Sequence, residues 1–298
     1  MSITLNSSFS DIADAIRELN GKTTTYKPTE MTEAIVKWKY PISGLTTAAK
    51  DVWSFGTDND VLLMVQAADA GDIDLTDYWS VGDTRSVSIS VMLATEALDD
   101  YHDAQPVDMV LMHANPSKYT YVTTPSSGRT KPFFIYGLKD CLTVSGYLNS
   151  SYTNSGSWNS APRKTWCDSV YREAVPAYLK TITKQVSFIT GVPSASGYTS
   201  GDSNQSCTGY FFFPAEKEVF GSRTYSASNE ADALEQWTWY ATAANRIKAL
   251  GPSGSATYWW LRSPYYSSGM NFCDVTSNGT ASSSYSRSRY GLDLCGCI

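Results

Sequence analysis

The chain of 298 residues carries 29 acidic and 23 basic side chains, so its net charge is −6 and its pI is about 5.0. Lysine and arginine form no cluster larger than a pair, and nucleic-acid binding normally needs a basic patch, so nucleic acid is excluded as a partner. Charged residues make up only 17% of the chain, whereas there are 20 tyrosines and 9 tryptophans, and amphipathic rings of this kind suit contact surfaces as well as cores.

Residues 1–41 predict a small helical hairpin. Ser10 is a suitable N-cap, apolar residues follow it at helical spacing, and Asn20-Gly21 ends the first helix. A second helix is predicted over 26–38 and ends before Pro41. Two such short helices are not stable alone, so the hairpin is expected to pack on a partner chain or on the main domain. We interpret it as an assembly module.

The N-terminus also bears on location. Residues 1–10 show neither the basic nor the apolar stretch of a signal peptide. No apolar run in the chain reaches the roughly 18 residues that cross a membrane. We therefore expect synthesis in the cytoplasm without a signal peptide, and no membrane insertion.

The rest of the chain predicts a connector over residues 42–74, with one apolar helical stretch at 61–65, followed by the main domain over 75–298. Strands are predicted at 84–91, 107–112, 133–136 and 210–213 and from 258 onward, and helices at 165–179, interrupted near Pro176, and at 230–250. Strands and helices alternate without a regular βαβ pattern, which predicts an α+β fold.

Residues that could carry chemistry are few. His102 and His113 are too few for most histidine-based metal sites and are interpreted as surface or hydrogen-bonded residues. The paired carboxylates of residues 99–100 and of Glu216 and Glu218 are expected to be solvated, with Glu218 serving the local fold. Sequence motifs of serine hydrolases, phosphate-binding loops and zinc proteases are absent. We therefore predict no enzyme activity, no cofactor and no metal.

The most unusual segment spans residues 265–290, where Ser, Tyr, Asn, Thr and Gly dominate. Antibody paratopes use the same residues, because Tyr gives a large amphipathic contact and Ser, Gly and Asn give adaptable hydrogen bonds. Phe272, Cys273 and Val275 are predicted to point inward, and Asn278-Gly279 to form a hairpin turn. The side chains predicted to point outward and contact a ligand are Tyr265, Tyr266, Ser268, Met270, Asn271, Asp274, Thr276, Ser284, Tyr285, Arg287 and Arg289.

A solvated loop is the plain alternative for so serine-rich a segment. The segment is bracketed, however, by a tryptophan-rich strand before it and an apolar terminus after it. Because both flanking stretches are apolar and expected to be buried, this position favours a binding surface that the folded core holds in place.

Several strings carry a resemblance that covers roughly residues 75–298. They are Tyr78-Trp-Ser-Val-Gly-Asp83, Gly146-Tyr-Leu-Asn-Ser-Ser-Tyr-Thr-Asn-Ser-Gly-Ser-Trp158, Arg163-Lys-Thr-Trp-Cys167, Pro214-Ala-Glu-Lys-Glu-Val-Phe-Gly221, Tyr258-Trp-Trp-Leu-Arg-Ser-Pro264 and the terminal Gly296-Cys-Ile298. The Trp-Trp-Leu-Arg-Ser-Pro string followed by Phe272-Cys273 is the most specific of them. On these strings the chain resembles a family of phage and prophage proteins.

That family is similar to the C-type-lectin fold in the variant shared with the formylglycine-generating enzyme, and the same variant carries the variable proteins of diversity-generating retroelements. The resemblance implies a C-type-lectin-like ligand-binding domain whose segment 265–290 is open to diversification at adenine-rich codons. Residues 11–35 are similar to a short module of tail and baseplate proteins in phages of Gram-positive hosts. This second resemblance implies that residues 1–41 are a tail-attachment module and that the protein is located in the virion, in the phage tail, after synthesis in the bacterial cytoplasm. It also implies other tail subunits as partners and a possible homo-oligomer.

The chain also departs from these families. Members often end in a Gly-Val-Arg-Pro-type string, whereas this chain ends in Gly291-Leu-Asp-Leu-Cys-Gly-Cys-Ile298. The formylglycine-generating chemistry needs a redox-active cysteine pair in a cleft, but Cys295 and Cys297 lie in an apolar string and are interpreted as structural, like the other four cysteines. The Glu-Pro-Asn and Trp-Asn-Asp tripeptides of calcium-dependent lectins are absent.

Three hypotheses on function follow. The first is a tail-associated protein that binds a host cell-surface receptor, either protein or glycan, through the Ser/Tyr-rich segment. The second is a virion structural or decoration protein without a receptor role. The third is an enzyme acting on cell-wall glycan, which would need a carboxylate pair in a cleft.

Overall fold

The computed structural model of the protein describes residue 40 and residues 52–93, 95, 98, 101–192 and 203–298. The helical hairpin predicted over residues 1–41 lies outside these residues apart from Tyr40, so it stays a prediction. Helices are mixed with antiparallel sheets along the described residues, which confirms the predicted α+β class.

The described helices are short, with one exception. They are α1 Val52–Phe55, α2 Asp58–Ala70, α3 Ser157–Ser160, α4 Pro162–Trp166, α5 Arg172–Ala174, α6 Ala177–Ile182, α7 Glu216–Phe220 and α8 Ser228–Asp232. A π-helical turn Cys167–Tyr171 joins α4 to α5, and 3-10 turns form at Leu75–Asp77, Thr238–Ala241 and Ala243–Arg246. No helix in this part of the chain is long and apolar enough to cross a membrane.

The long helix α2 shows how local signals set its ends. Thr57 caps it, accepting a hydrogen bond from the amide of Asp60 at 3.1 Å while the Asp60 carboxylate accepts one from the amide of Thr57 at 3.0 Å. Gly71 ends it in the left-handed conformation, with φ of 82°. Val61, Met64 and Val65 are buried against the main core. The apolar helical stretch predicted at 61–65 is therefore confirmed.

The eleven strands of the described chain form one five-stranded and two three-stranded sheets. They are β1 Thr84–Ile89, β2 Gln105–Ala114, β3 Thr120–Tyr121, β4 Phe134–Leu138, β5 Val186–Val192, β6 Ser203–Gly209, β7 Phe211–Phe212, β8 Trp259–Pro264, β9 Asn271–Val275, β10 Ala281–Tyr285 and β11 Cys295–Cys297. The sheet orders are β1-β2-β4-β11-β7, β10-β9-β8 and β3-β5-β6. All five predicted strand regions contain a strand.

The C-terminal strand β11 lies inside the largest sheet, between β4 and β7. The carbonyl of Ile298 accepts hydrogen bonds from the amides of Phe133 and Phe134, at 2.7 and 3.2 Å. Cys295 and Cys297 are fully buried there, and burial raises the pKa of both thiols well above the ordinary value. This placement agrees with their interpretation as structural side chains.

The prediction of a helix over residues 230–250 is wrong. Helix α8 ends at Asp232, and the backbone then forms two 3-10 turns. The amide of Trp237 donates to the carbonyl of Glu218 at 2.8 Å, and that of Thr238 to Nδ1 of His113 at 3.3 Å, so neither can bond within a helix. This path buries the rings of Trp237 and Tyr240, which stack 6.0 Å apart. Tertiary packing of two large rings outweighs helical periodicity in this segment.

Candidate functional site

Two distant parts of the chain, the loop of residues 146–156 and the segment 265–290, meet on one surface. We call this surface the Ser/Tyr face. The amide of Gly146 donates to the carbonyl of Tyr290 at 2.9 Å, and the amide of Tyr290 donates back at 3.2 Å. Ser286 is buried between the two parts, and its hydroxyl donates to the carbonyl of Ser151 at 2.8 Å. Backbone hydrogen bonds therefore fix the loop against the segment.

The β9–β10 hairpin forms the centre of the face. It turns at Asn278-Gly279, as predicted, and Gly279 adopts a φ of 76° that few other residues tolerate. Phe272, Cys273 and Val275 are fully buried, so their predicted inward orientation is confirmed.

A buried asparagine holds the turn that precedes the hairpin. Asn154 is 1% exposed, and its side-chain amide donates to the carbonyls of Ser268 and Asn271, both at 2.7 Å. Its own backbone amide donates to the carbonyl of Gly269 at 2.9 Å. Sequence reasoning assigned Asn154 no role, because its partners lie more than 110 residues away along the chain. The signal that could have found it is its position in the string of residues 146–158, which carries the family resemblance.

One group of rings and guanidinium groups lies beside β10. Tyr152 and Tyr285 meet edge to face with ring centroids 5.6 Å apart, and they are 55% and 51% exposed. Arg287 lies over the ring of Tyr152 at 5.6 Å, and Arg289 over that of Tyr147 at 4.4 Å. Because these contacts already hold the exposed rings in place, a ligand gains contact area at a low cost in side-chain entropy.

A second group lies at the start of the segment. Tyr265 packs edge to face against Tyr225 at 5.4 Å and against Tyr266 at 5.5 Å. The amide of Tyr266 donates to the carbonyl of Tyr225 at 3.0 Å, and Arg223 lies 5.8 Å from the centre of the Tyr266 ring. Sequence reasoning missed Tyr225 and Arg223, since they lie outside the segment 265–290.

The structure brings ten of the eleven predicted ligand contacts to the surface. Met270, Tyr285, Arg287 and Arg289 are exposed, and Tyr265, Tyr266, Ser268, Asn271, Thr276 and Ser284 are partly exposed. Their role in binding stays a prediction.

The eleventh, Asp274, is not outward as predicted but fully buried. It lies on the central strand β9, opposite Ser282 on one side and Trp260 on the other. Burial raises the pKa of its carboxyl to about 7, and hydrogen bonding to Ser284 and Ser282 opposes this only in part. Strand alternation puts Asp274 on the face opposite Cys273, but packing covers both faces of β9.

A buried ion pair joins strand β8, which pairs with β9, to helix α7. Arg262, in the Trp-Trp-Leu-Arg-Ser-Pro string, donates two hydrogen bonds to the Glu218 carboxylate at 2.6 and 2.8 Å, and both side chains are at most 1% exposed. Glu218 also accepts hydrogen bonds from the Tyr119 hydroxyl and the Ala215 amide, both at 2.7 Å. The prediction that Glu218 serves the fold agrees with these contacts.

Glu216 is not solvated as expected but fully buried. Its carboxylate accepts hydrogen bonds from the amides of Tyr225 and Ser226, the shortest at 2.7 Å, and from the Ser226 hydroxyl at 2.7 Å. These bonds satisfy the buried charge and hold Tyr225 beside Tyr265. The other predicted acid pair, at residues 99–100, lies outside the described residues.

The two histidines have structural surroundings. His102 is fully buried and packs 5.7 Å from the Trp166 ring. Nδ1 of His113 lies 3.0 Å from the Thr238 hydroxyl, and burial lowers the pKa of His113 although Glu235 opposes this. Within the described part of the chain, no three His, Cys, Asp or Glu side chains are grouped to hold a metal.

Comparison with known proteins yields one family. The profile of DUF6273, described as a domain of unknown function, matches residues 138–293. No curated protein and no solved structure matches the chain. Both parts of the Ser/Tyr face, as well as Arg262 and Glu218, lie within the matched region.

Proposed function

The chain belongs to the DUF6273 family, and we propose that its family domain is a binding module that presents the Ser/Tyr face to a receptor on a bacterial cell surface. The observation that carries this proposal is the construction of the face. Exposed rings, guanidinium groups and hydroxyls stand on a floor of fully buried side chains, including Asn154, Trp260 and Phe272. Recognition surfaces combine adaptable polar groups with rigid aromatic anchors in this way.

The fixed loops favour binding energetically. Ordering a flexible loop on association costs free energy, which a preformed surface avoids. Here Ser286 and Asn154 tie the loop 146–156 to the segment 265–290 in the free protein. The exposed rings therefore need little rearrangement when a ligand arrives.

The proposal extends to fold family and location. We propose a C-type-lectin-like domain of the formylglycine-generating variant, carried on a phage tail by the module of residues 1–41. The support is the resemblance of the strings along residues 75–298 and of residues 11–35, together with the placement of β1 and β11 in one antiparallel sheet.

Removing the exposed rings is expected to weaken binding. In the double variant Tyr152→Ala and Tyr285→Ala, the dissociation constant for the receptor should rise at least about 30-fold, because the two rings contact each other and losing one central aromatic contact already costs about 2 kcal/mol. The fluorescently labelled protein would be titrated onto intact cells and isolated walls of Gram-positive bacteria, and the variant measured on the strain that binds best.

Tyr101→Ala is the matched control for this experiment. Tyr101 is 46% exposed, close to the value for Tyr285, but lies outside both parts of the face. The control should bind as the parent protein does. A parent that binds no cell or wall, or a double variant that binds as tightly as the control, would refute the proposed function.

Natural variation should follow the exposure pattern of the face. If retroelement diversification acts here, substitutions across a phage population will concentrate at adenine-containing codons of exposed positions such as Tyr285, Arg287 and Arg289. The codons of Asn154, Trp260 and Phe272 should stay constant, because their side chains are buried. Deep sequencing of the gene tests this, and substitutions spread evenly over exposed and buried codons would rule out diversification.

A further inference from the structure

A lysine and an aspartate meet inside the protein, shielded from solvent. The side chains of Lys248 and Asp293 are both 0% exposed, and Nζ of Lys248 lies 2.9 Å from Oδ1 of Asp293. The rings of Tyr240 and Trp259 lie 5.4 and 5.3 Å from Nζ. Burying two ions is costly, and the proposed binding function makes no use of this pair.

The hydrogen bonds around the pair are unevenly distributed. Nζ of Lys248 donates to the carbonyl of Leu138 at 2.5 Å, and the Tyr240 hydroxyl donates to Oδ2 of Asp293 at 2.7 Å. Oδ1 of Asp293 has no aligned hydrogen bond among the described residues, although Nζ lies within reach. In the other fully buried pair, by contrast, Arg262 donates two aligned bonds to Glu218. A carboxylate that serves only as a counter-ion is expected to align in that way.

Condensation of the two side chains accounts for this arrangement. An amide between Nζ of Lys248 and Cγ of Asp293 keeps Oδ2, which the Tyr240 hydroxyl already bonds. It also keeps one N–H, which can bond the carbonyl of Leu138. The oxygen that it eliminates is Oδ1, the atom without an aligned bond. Every polar group of the product therefore has a partner, as buried polar groups require.

The reaction balances without an oxidant, a reductant or a second substrate. One proton passes from the ammonium group of Lys248 to Oδ1 of Asp293, which leaves a neutral amine and a neutral carboxyl. Burial favours this transfer, since it raises the pKa of the Asp293 carboxyl although Lys248 and Tyr240 oppose it. The lone pair of Nζ then attacks Cγ, while the Tyr240 hydroxyl stabilises the negative charge that develops on Oδ2. Oδ1 leaves as water with a second proton from Nζ, and the third proton stays on the amide nitrogen.

Residues 138–142 hold the neighbours of both side chains. The amide of Cys141 donates to the carbonyl of Ala249, the residue after the lysine, at 3.0 Å. The amide of Leu138 donates to the carbonyl of Leu294, the residue after the aspartate, also at 3.0 Å. The two reacting groups are thus positioned by one stretch of backbone, and such positioning can remove much of the barrier to an intramolecular reaction.

We propose that Lys248 and Asp293 form an intramolecular isopeptide bond, with the Tyr240 hydroxyl activating the carboxyl. The bond closes a covalent loop of residues 248–293, which contains β8, β9, β10 and the whole segment 265–290. Both ends of the Ser/Tyr segment are then joined covalently. A closed loop also lowers the entropy of the unfolded chain, which favours the folded state.

The test is peptide mass spectrometry of the full chain after denaturation, reduction, alkylation and digestion with trypsin. Trypsin does not cleave after an acylated lysine, so residues 247–262 should appear joined to residues 290–298, at the sum of their masses less one water. No disulfide can join them, because residues 247–262 contain no cysteine. Lys184 is the internal control. It pairs with Asp69 at 2.5 Å but is hydrogen-bonded and 24% exposed, so trypsin should cleave after it.

Two variants test the chemistry. Lys248→Arg keeps a buried cation but forms no amide, so its mass should exceed that of the parent by one water beyond the difference between arginine and lysine. Tyr240→Phe keeps the ring and removes the donor to Oδ2. It should slow bond formation about 100-fold in protein made by cell-free translation and sampled over time, as loss of one oxyanion donor does in enzymes.

The parent digest decides the proposal even if a variant does not fold. Recovery of residues 249–262 and 290–298 as separate peptides would overturn it and leave an ordinary ion pair. Bond formation at the parent rate in Tyr240→Phe would overturn the assigned chemistry as well. Neither result bears on the proposed binding function, which depends on the exposed rings of the Ser/Tyr face.

Discussion

Replacing Arg262 with methionine is expected to lower the free energy of unfolding by about 3–5 kcal/mol, since it leaves a buried carboxylate without its cation. The guanidinium group donates both of its paired hydrogen bonds to Glu218, and it also donates to the carbonyl of Phe213 at 2.7 Å. After the substitution, Glu218 keeps only the Tyr119 hydroxyl and the Ala215 amide. Urea unfolding followed by tryptophan fluorescence measures the loss.

Two further variants show whether the loss comes from the unpaired charge. Arg262→Lys keeps the charge but not the two parallel bonds, so it should recover part of the stability. The double variant Arg262→Met with Glu218→Gln should be more stable than the single variant, because no buried charge remains unpaired. A single variant within about 1 kcal/mol of the parent, no more than an ordinary neutral hydrogen bond contributes, would contradict the expectation that the buried Glu218 carboxylate depends on Arg262.

Replacing Asp274 with asparagine is expected to stabilise the protein at pH 8 and to change little near pH 4. The pKa of the carboxyl is about 7 in the folded protein, compared with an ordinary value of 3.8. Between these two values the folded state binds the proton more tightly than the unfolded state, so parent stability falls as the pH rises. Above about pH 7 both states are ionised and the penalty is constant. The gain of the variant at pH 8 is at most about 4 kcal/mol.

The quantity to measure is the difference in the free energy of unfolding between parent and variant. Urea unfolding of both proteins at several pH values from 4 to 8 gives this difference. Glu230 is also fully buried, and burial raises its pKa to about 7, so it adds its own pH dependence to both proteins and cancels in the difference. Asp77→Asn, at an exposed aspartate, controls for the substitution itself. A variant less stable than the parent at pH 8 would show that the Asp274 carboxylate stabilises the fold, contrary to its placement among neutral groups.

Two buried charged residues on the neighbouring strands β8 and β9, Arg262 and Asp274, are expected to have opposite effects on stability. Loss of Arg262 is expected to destabilise the fold, whereas loss of the Asp274 charge is expected to stabilise it at neutral pH. Functional sites are where proteins retain such unfavourable residues, because function and stability make different demands. Stabilisation by Asp274→Asn combined with weaker binding to cells would show this trade-off directly.

Much of the fold was predictable from local patterns. Strand β1 alternates buried and exposed residues as its sequence alternates apolar and polar ones, and the Asn278-Gly279 pair predicts the β9–β10 hairpin. The interruption predicted near Pro176 also occurs, since α6 begins only after it. In each case the structure depends on the residues themselves and their immediate neighbours, through backbone conformation and periodicity.

The Ser/Tyr segment itself was recognisable from composition, but its partner loop and its polar floor were not. Asn154, Glu216 and Asp274 are buried because of groups far away in the chain, and no local pattern distinguishes them from solvated side chains. The segment 230–250 is a similar case, since contacts of Trp237 with Glu218 replace its expected helix. Residue types and periodicity are local properties that a sequence displays, whereas the burial of a polar group depends on which distant donors and acceptors the fold places beside it.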